Sequence, residues 1–250
     1  RRSIKNTGIW PLNWKNNIFF TLVGPREPGN IGASARALKN MGFRNMQLVN
    51  PGAYLTDEAR NRACTAEDIL ENAVVYTDIW EALKNKHLVV GTSRRRGKNR
   101  GHFLPFDEGI QKIREISEKN KVAVIFGREN SGLTNEESNQ CGFILTIPTD
   151  GEHPSINLAQ SVLLIAYELN KASIEEEVPE LLAQSELSRL FKRIKNILDL
   201  LEYLPQGDRD LEEDIMQNIR QLLNRAGLTT WEMNMLHGLC TQIERKIKQL

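Results

Sequence analysis

Four segments of this 250-residue chain bring glycines, carboxamides and charged side chains together at spacings that suit ligand chemistry. The first runs Gly24-Pro25-Arg26-Glu27-Pro28-Gly29-Asn30-Ile31-Gly32-Ala33-Ser34-Ala35-Arg36. Gly29 and Gly32 permit tight turning and close backbone approach, and Asn30 is a good helix N-cap. The second, Thr92-Ser93-Arg94-Arg95-Arg96-Gly97-Lys98-Asn99-Arg100, places five cations within seven residues. A loop of that kind displaces counterions from a phosphate backbone. The third, Phe126-Gly127-Arg128-Glu129-Asn130-Ser131-Gly132-Leu133-Thr134, frames a polar turn with two glycines. Thr134 with Glu137 predicts a capping box for the helix that follows. The fourth, residues 147–159, breaks at Pro148 and Gly151 and then starts a helix that Ser155 is placed to cap. Asn157 in its first turn is a weak helix former and points to a contact of its own. His153 in the same loop has the chemistry of a switch or base, but a loop histidine is more often simply solvated. Taken singly, the first and fourth segments also read as an ordinary turn and cap and the second as a solvated basic loop, whereas Arg128 and Glu129 together at a strand end are hard to explain by turn chemistry. None is G-x-G-x-x-G or a P-loop, which argues against dinucleotide or ATP chemistry.

All four segments begin where a strand-like run ends. Apolar runs at 17–23, 45–49, 73–76, 87–91, 122–126 and 143–147 read as short buried strands. Helical stretches near 31–41, 65–70, 79–84, 108–118 and 135–141 alternate with them, and 155–170 reads as one longer helix. That alternation predicts a parallel α/β sheet, whose ligands bind at the carboxyl ends of the strands. Residues 171–186 are polar and acidic, with Glu175-Glu176-Glu177 and Pro179, and read as a linker or a helix start. Beyond them Leu187, Leu190, Phe191, Ile194, Ile197, Leu198 and Leu201 recur at helical spacing. Ile215, Ile219, Leu222 and Leu223 do the same, as do Trp231, Met235, Leu239 and Ile243. Breaks at 205–208 and 226–229 separate three helices, the last with Thr229 or Thr230 and Glu232 placed to cap it. The expected organisation is an N-terminal extension (1–16), an α/β domain (17–170), an acidic linker (171–186) and a helical domain (187–250).

Composition narrows the class. With 40% hydrophobic and 26% charged residues the chain is ordinary globular protein, not a disordered, collagen-like or purely coiled-coil one. A net charge of +1 carries no global nucleic-acid signature, so RNA binding rests on the local basic loop. Cys64, Cys141 and Cys240 are far apart and odd in number, which favours a reducing compartment over a disulfide framework. No C-x-x-C or H-x-x-x-H pairing is present, so no metal site is expected. The longest apolar run, 162–167, falls far short of the ~20 residues that span a bilayer. A cytoplasmic protein without a membrane partner is expected. The opening Arg1-Arg2, in place of Met, leaves a removed organelle-targeting segment open.

Together the four segments resemble the motifs of the SPOUT superfamily of methyltransferases, nearest its TrmH-like branch, which methylates RNA ribose 2′-hydroxyls. Asn30-Ile31-Gly32 with Arg36 is similar to the first motif, Phe126 to Glu129 with Gly132-Leu133-Thr134 to the second, and Ser155-Ile156-Asn157-Leu158-Ala159 to the third. Order and spacing agree over most of 17–170. The tail, with Gly227-Leu228-Thr229-Thr230-Trp231-Glu232-Met233-Asn234, is similar to that of branch members acting on cytidine or uridine at position 32 of the tRNA anticodon loop. The resemblance implies an α/β fold: a deep trefoil-knotted, mostly parallel sheet flanked by helices, knotted at about 126–167, plus a C-terminal all-helical extension. It implies S-adenosyl-L-methionine as cofactor, tRNA as substrate, a homodimer whose active site is shared between subunits, and no metal. Thr92, Ser93, Arg94, Gly127, Ile147, Pro154, Ser155 and Ile156 would hold the cofactor. Arg36 would act on the ribose from the partner subunit, with Asn30, Glu129 and Asn157 bracing the site. Arg26, Arg95, Arg96, Lys98 and Arg100 would grip the RNA. The rival readings are a relative acting on rRNA, a non-catalytic RNA-binding dimer, and a small-molecule enzyme with a nucleotide cofactor.

Overall fold

The computed structural model describes residues 14–94, 101–151, 155–171, 180–204 and 209–248. A 3-10 turn, Trp14–Asn17, leads into β1 (Ile18–Val23), followed by α1 (Pro28–Asn40), β2 (Asn45–Val49), α2 (Asp57–Ala63) and a second 3-10 turn at Cys64–Ala66. The chain continues through α3 (Glu67–Glu71), β3 (Val74–Tyr76), α4 (Ile79–Leu83), β4 (Leu88–Thr92), β5 (Phe103–Leu104) and α5 (Phe106–Ile116). It completes the α/β part with β6 (Val122–Phe126), α6 (Asn135–Asn139), β7 (Phe143–Leu145) and α7 (Leu158–Lys171). The tail is α8 (Gln184–Leu200), α9 (Arg209–Ala226) and α10 (Thr230–Ile247).

The described strands form one seven-stranded sheet in the order β3-β2-β1-β6-β4-β7-β5, with every pairing parallel. This is the expected parallel α/β sheet with a helical extension. β6 sits at the middle of the order and is buried along its whole length. Its period-2 alternation divides the core. Val122, Val124 and Phe126 pack on one face, under α1, α2, α3, α5 and α7. Ala123 and Ile125 pack on the other with Leu83, Leu133 and Cys141. Parallel strands need crossovers, and these gather the loops that leave β1, β2, β4, β6 and β7 at one end of the sheet. On the first face α1 lies so close to α2 that a Cβ on Gly32 would stand 2.0 Å from the Ala59 carbonyl oxygen. Only glycine permits that approach. α7 returns from β7 to pack on α1 and α5.

Several local expectations change. Helix α2 was not foreseen, because its only buried residues are the small Ala59 and Ala63. Strand β5 is two residues long and too short for a pattern. α1 starts at Pro28, three residues earlier than expected, because a proline preset to helical φ and lacking an N–H suits the first turn. Val74 and Val75 are not buried but 50% and 44% exposed, since β3 is an edge strand.

The tail has its own small core around Leu187, Leu190, Phe191, Leu228 and Met233. Arg193 of α8 clamps α10 through Glu244 (2.9 and 2.8 Å), the Thr241 hydroxyl (2.8 Å) and the His237 carbonyl (3.1 Å). The expected capping box of Thr229 and Glu232 starts α10. The tail joins the amino end of the sheet: Gln184 N donates to the Lys86 carbonyl at 2.8 Å and Leu181 N to Asn120 Oδ1 at 2.6 Å. All three cysteines are free thiols. Among the described residues no helix is long and apolar enough to cross a membrane.

Candidate active site

At the carboxyl ends of β4, β6 and β7 the departing loops enclose a cleft of about 130 Å³. β4 contributes Thr92, followed by Ser93 and Arg94; β6 contributes Phe126 and the turn 127–132; β7 contributes Leu145, followed by Ile147. Ser155, Ile156, Leu158 and Ser161 close it from the start of α7. The walls are tied to each other. Thr92 Oγ1 donates to the Ile125 carbonyl (3.0 Å), Ser93 N to the Leu145 carbonyl (3.0 Å) and Thr146 Oγ1 to the Ser93 carbonyl (2.8 Å).

The turn after β6 is the tightest part. Arg128 and Gly132 exchange backbone hydrogen bonds of 3.2 and 2.8 Å, folding the turn over the strand end. A Cβ on Gly127 would lie 2.1 Å from the Gly132 carbonyl carbon and from Leu133 N, so no larger residue fits beneath it. The Arg128 guanidinium makes two hydrogen bonds, each 3.0 Å, to the two oxygens of Glu137. Glu137 also accepts from Thr134 N (2.8 Å) and donates its own N–H to Thr134 Oγ1 (3.1 Å), which is the expected capping box of α6. The hydrogen bonds to Glu137 raise the Arg128 pKa above the ordinary arginine value.

Glu129 turns the opposite way. Its carboxylate accepts from Arg26 N (3.3 and 3.2 Å), Glu27 N (3.2 Å) and Asn30 Nδ2 (3.3 Å). The residue at the N-cap position of α1, Glu27, makes no side-chain cap bond. An anion from a distant loop therefore meets the amides and the positive dipole end at the start of α1. Asn30 is thus not the cap but a link in the helix's first turn, since its Oδ1 accepts from Asn157 Nδ2 at 2.7 Å. Asn157 Oδ1 accepts from Ala159 N (2.9 Å) and Gln160 N (3.3 Å), so Asn157, not Ser155, caps α7. The helix starts at Leu158, which leaves Ser155 outside its first turn and on the cleft. One chain of hydrogen bonds runs from Glu129 through Asn30 and Asn157 to α7.

Of the residues singled out in the sequence, Thr92, Ser93, Arg94, Gly127, Glu129, Ile147, Ser155 and Ile156 line this one cleft, and Asn30 and Asn157 stand behind Glu129. Arg36 does not line it. It lies on the exposed side of α1, where its Nη1 donates to Cys64 Sγ at 3.4 Å. Arg26 is exposed beside Glu129. Arg95, Arg96, Lys98, Arg100, His153 and Pro154 lie outside the described residues. Ser131, Leu145, Leu158 and Ser161 also line the cleft without a role expected from the sequence, as does Arg128, which stands out there only as a partner of Glu129 at a strand end. Leu145 and Leu158 read as core residues in a sequence. Arg128 carried a signal: it sits in the glycine-framed turn, nine residues before a glutamate that already caps a helix. Leu145, Ile147, Ile156 and Leu158 give the cleft an apolar wall, and the hydroxyls of Thr92, Ser93, Ser131 and Ser155 with the charges of Arg94, Arg128 and Glu129 give it a polar one.

Known proteins resemble both parts of the chain. Residues 17–167 match the SpoU rRNA Methylase family, and residues 185–250 match the C-terminal domain of the tRNA methyltransferase TrmJ. A tRNA (cytidine/uridine-2′-O-)-methyltransferase, TrmJ of Sodalis glossinidius, is 35% identical over 242 residues, covering 93% of each chain. The tRNA (cytidine/uridine/adenosine-2′-O-)-methyltransferase TrmJ of Pseudomonas aeruginosa is 32% identical over 251 residues, covering 94% of this chain and 96% of its own. The crystal structure of TrmJ from Z. mobilis superposes with a TM-score of 0.76 at 28% identity, covering 90% of this chain and 98% of that one.

Proposed function

The chain belongs to the SpoU rRNA methylase family, and from that premise we propose that it is an S-adenosyl-L-methionine-dependent tRNA methyltransferase acting on ribose 2′-oxygens. We propose cytidine or uridine at position 32 of the anticodon loop as its target. The observation that carries the reading is convergence: segments from β4, β6 and the start of α7 line one cleft, and the chain's tail matches a tRNA methyltransferase domain.

Bound S-adenosylmethionine supplies a methyl group already activated on a sulfonium. The rest falls to this chain's residues. Leu145, Ile147, Ile156 and Leu158 suit the purine, and Thr92, Ser93, Arg94, Gly127, Pro154 and Ser155 the sugar and tail. Alignment of the 2′-oxygen with the methyl group contributes about 7–11 kcal/mol in well-oriented reactions. Glu129, Asn30 and Asn157 hold the first and third motif segments in register for that alignment. Arg36 binds and orients the ribose hydroxyl. A guanidinium keeps its proton and is a poor base, so Arg36 stabilises the developing alkoxide while an RNA phosphate or water takes the proton.

Arg36 stands away from the cleft of its own chain, which supports a homodimer in which each cleft is completed by the partner subunit's Arg36. Leu163, Leu164 and Tyr167, exposed on one helix, offer a surface for that pairing. The reading includes a threaded path over about 126–167, the basic loop and Arg26 as RNA contacts, and a cytoplasmic location, which free cysteines support. The test is transfer of label from S-adenosylmethionine to unmodified tRNA, with the nucleotide mapped by digestion and mass spectrometry. Ribose-methylated C or U at position 32 is expected. Label confined to an rRNA fragment would overturn the tRNA assignment, and transfer to neither RNA would overturn the enzyme.

A further inference from the structure

Resting on the cofactor assignment above, we propose that Glu137 is a positioning residue that fixes and neutralises Arg128, so that the cleft accepts a sulfonium cation. The ligand itself sets the problem. S-Adenosylmethionine carries a positive sulfur, yet Arg128 brings a permanent cation into the wall of the cleft meant to hold it. Arg94 lines the same cleft, and Glu129 is the carboxylate among the lining residues. Glu129 is engaged with the start of α1 through Arg26 N, Glu27 N and Asn30.

Glu137 lies outside that lining but meets Arg128 in a two-point, parallel geometry, both bonds 3.0 Å. Its side chain is 12% exposed and that of Arg128 35%, so solvent screens the pair only in part. Its own position is fixed twice over by the capping box with Thr134. Arg128 is fixed from the other side as well: its Nε and Cγ stand 2.9 and 3.0 Å from where a Cβ on Gly24 would be, at the end of β1. A glutamate that served only to cap α6 would need Thr134 alone. A surface arginine would not be braced between two loops. The arrangement places a cation where it shapes the turn 127–132 and cancels its field from behind.

The consequence is a difference between two ligands of almost the same shape. S-Adenosylmethionine has the sulfonium; S-adenosylhomocysteine, the thioether left after transfer, does not. Removing Glu137's charge leaves Arg128 uncompensated, which opposes the first ligand and leaves the second nearly unaffected. The measurement is the dissociation constant of each, by calorimetry on the full chain without RNA. For Glu137→Gln, which keeps an oxygen for the cap, the ratio of S-adenosylmethionine to S-adenosylhomocysteine dissociation constants is expected to rise about tenfold, the scale of one uncompensated charge several ångströms away. Arg128→Met leaves Glu137 as the uncompensated charge and is expected to move the ratio the other way. The double variant is expected to return it to within about threefold of wild type, as coupled charges require. Equal weakening of both ligands in the single variants would overturn the proposal and leave Glu137 a structural cap. Failure of the wild-type chain to bind either ligand would overturn the cofactor assignment instead.

Discussion

The two ends of the same sheet handle polar side chains in opposite ways. At the amino end they close mainly onto backbone groups. Lys86 is 1% exposed; its Nζ donates to the Ala82 carbonyl at 3.0 Å and lies 4.1 Å from the centre of the Phe19 ring. His87 Nδ1 accepts from Lys121 N (3.0 Å), and Asn17 Nδ2 donates to the Ser117 carbonyl (2.8 Å). The tail then joins this end through Asn120 and the Lys86 carbonyl. At the carboxyl end polar groups are held just as firmly, again by partners distant in sequence, but beside an open cleft. Satisfied groups that seal a sheet end act on stability. Satisfied groups that border a cavity act on whatever enters it.

Substitutions at the two ends should therefore separate. The largest effect is expected for Gly127→Ala. A methyl group 2.1 Å from backbone forces the turn off the strand end, and cofactor affinity should fall at least about a hundredfold, roughly 3 kcal/mol. Calorimetric titration checks it, and affinity within a few-fold of wild type would mean the turn is not part of the binding surface. Asn157→Ala comes next, at the boundary between the two behaviours. It removes the α7 cap and the link to Asn30, so about 1–2 kcal/mol of stability should be lost in urea unfolding. A loss no greater than that of an exposed surface change would dissolve the hydrogen-bond chain as a structural unit.

The smallest effect is at the amino end and has the opposite sign. Burial, and secondarily the charge of Lys121, lowers the Lys86 pKa from 10.5 to about 8. Between those values the unfolded chain binds more protons at this site than the folded one, so this lysine's contribution makes stability rise with pH across that window. Below about pH 8 both states are protonated and the full cost of burying the charge is present. Lys86→Met should raise stability at pH 7 by about 1 kcal/mol and flatten the rise between pH 8 and 10.5, with cofactor affinity unchanged. Equal unfolding curves for both proteins at pH 7 and pH 10 would show that the ammonium is solvated after all.

Much of the site was readable along the chain because its signals are local. Glycine pairs, strand-then-turn texture and the two capping boxes at Thr134 and Thr229 each depend on residues within a few positions of one another. The helical tail was readable for the same reason, since its period needs only neighbouring turns. What failed depended on distance. Asn30 reads as a cap until Glu129 is brought to the helix start, and Ser155 reads as a cap until Asn157 is drawn toward Asn30. Val74 and Val75 read as buried because their residue type suits a strand interior, whereas sheet order makes them an edge. Helix α2 carries no apolar stripe; its two alanines matter because Gly32 lies opposite.

The sequence by itself determined the class of fold, the helical tail and the segments that gather around the cleft, because composition, periodicity and turn residues act over one or two turns of chain. Only the tertiary structure decided the strand order, the cap exchange between Ser155 and Asn157, the pairing of Arg128 with Glu137 and the position of Arg36 away from its own cleft. Those depend on which strand ends become neighbours. Hydrogen bonds and charges respond to separation in space, and the order of residues along a chain does not specify it.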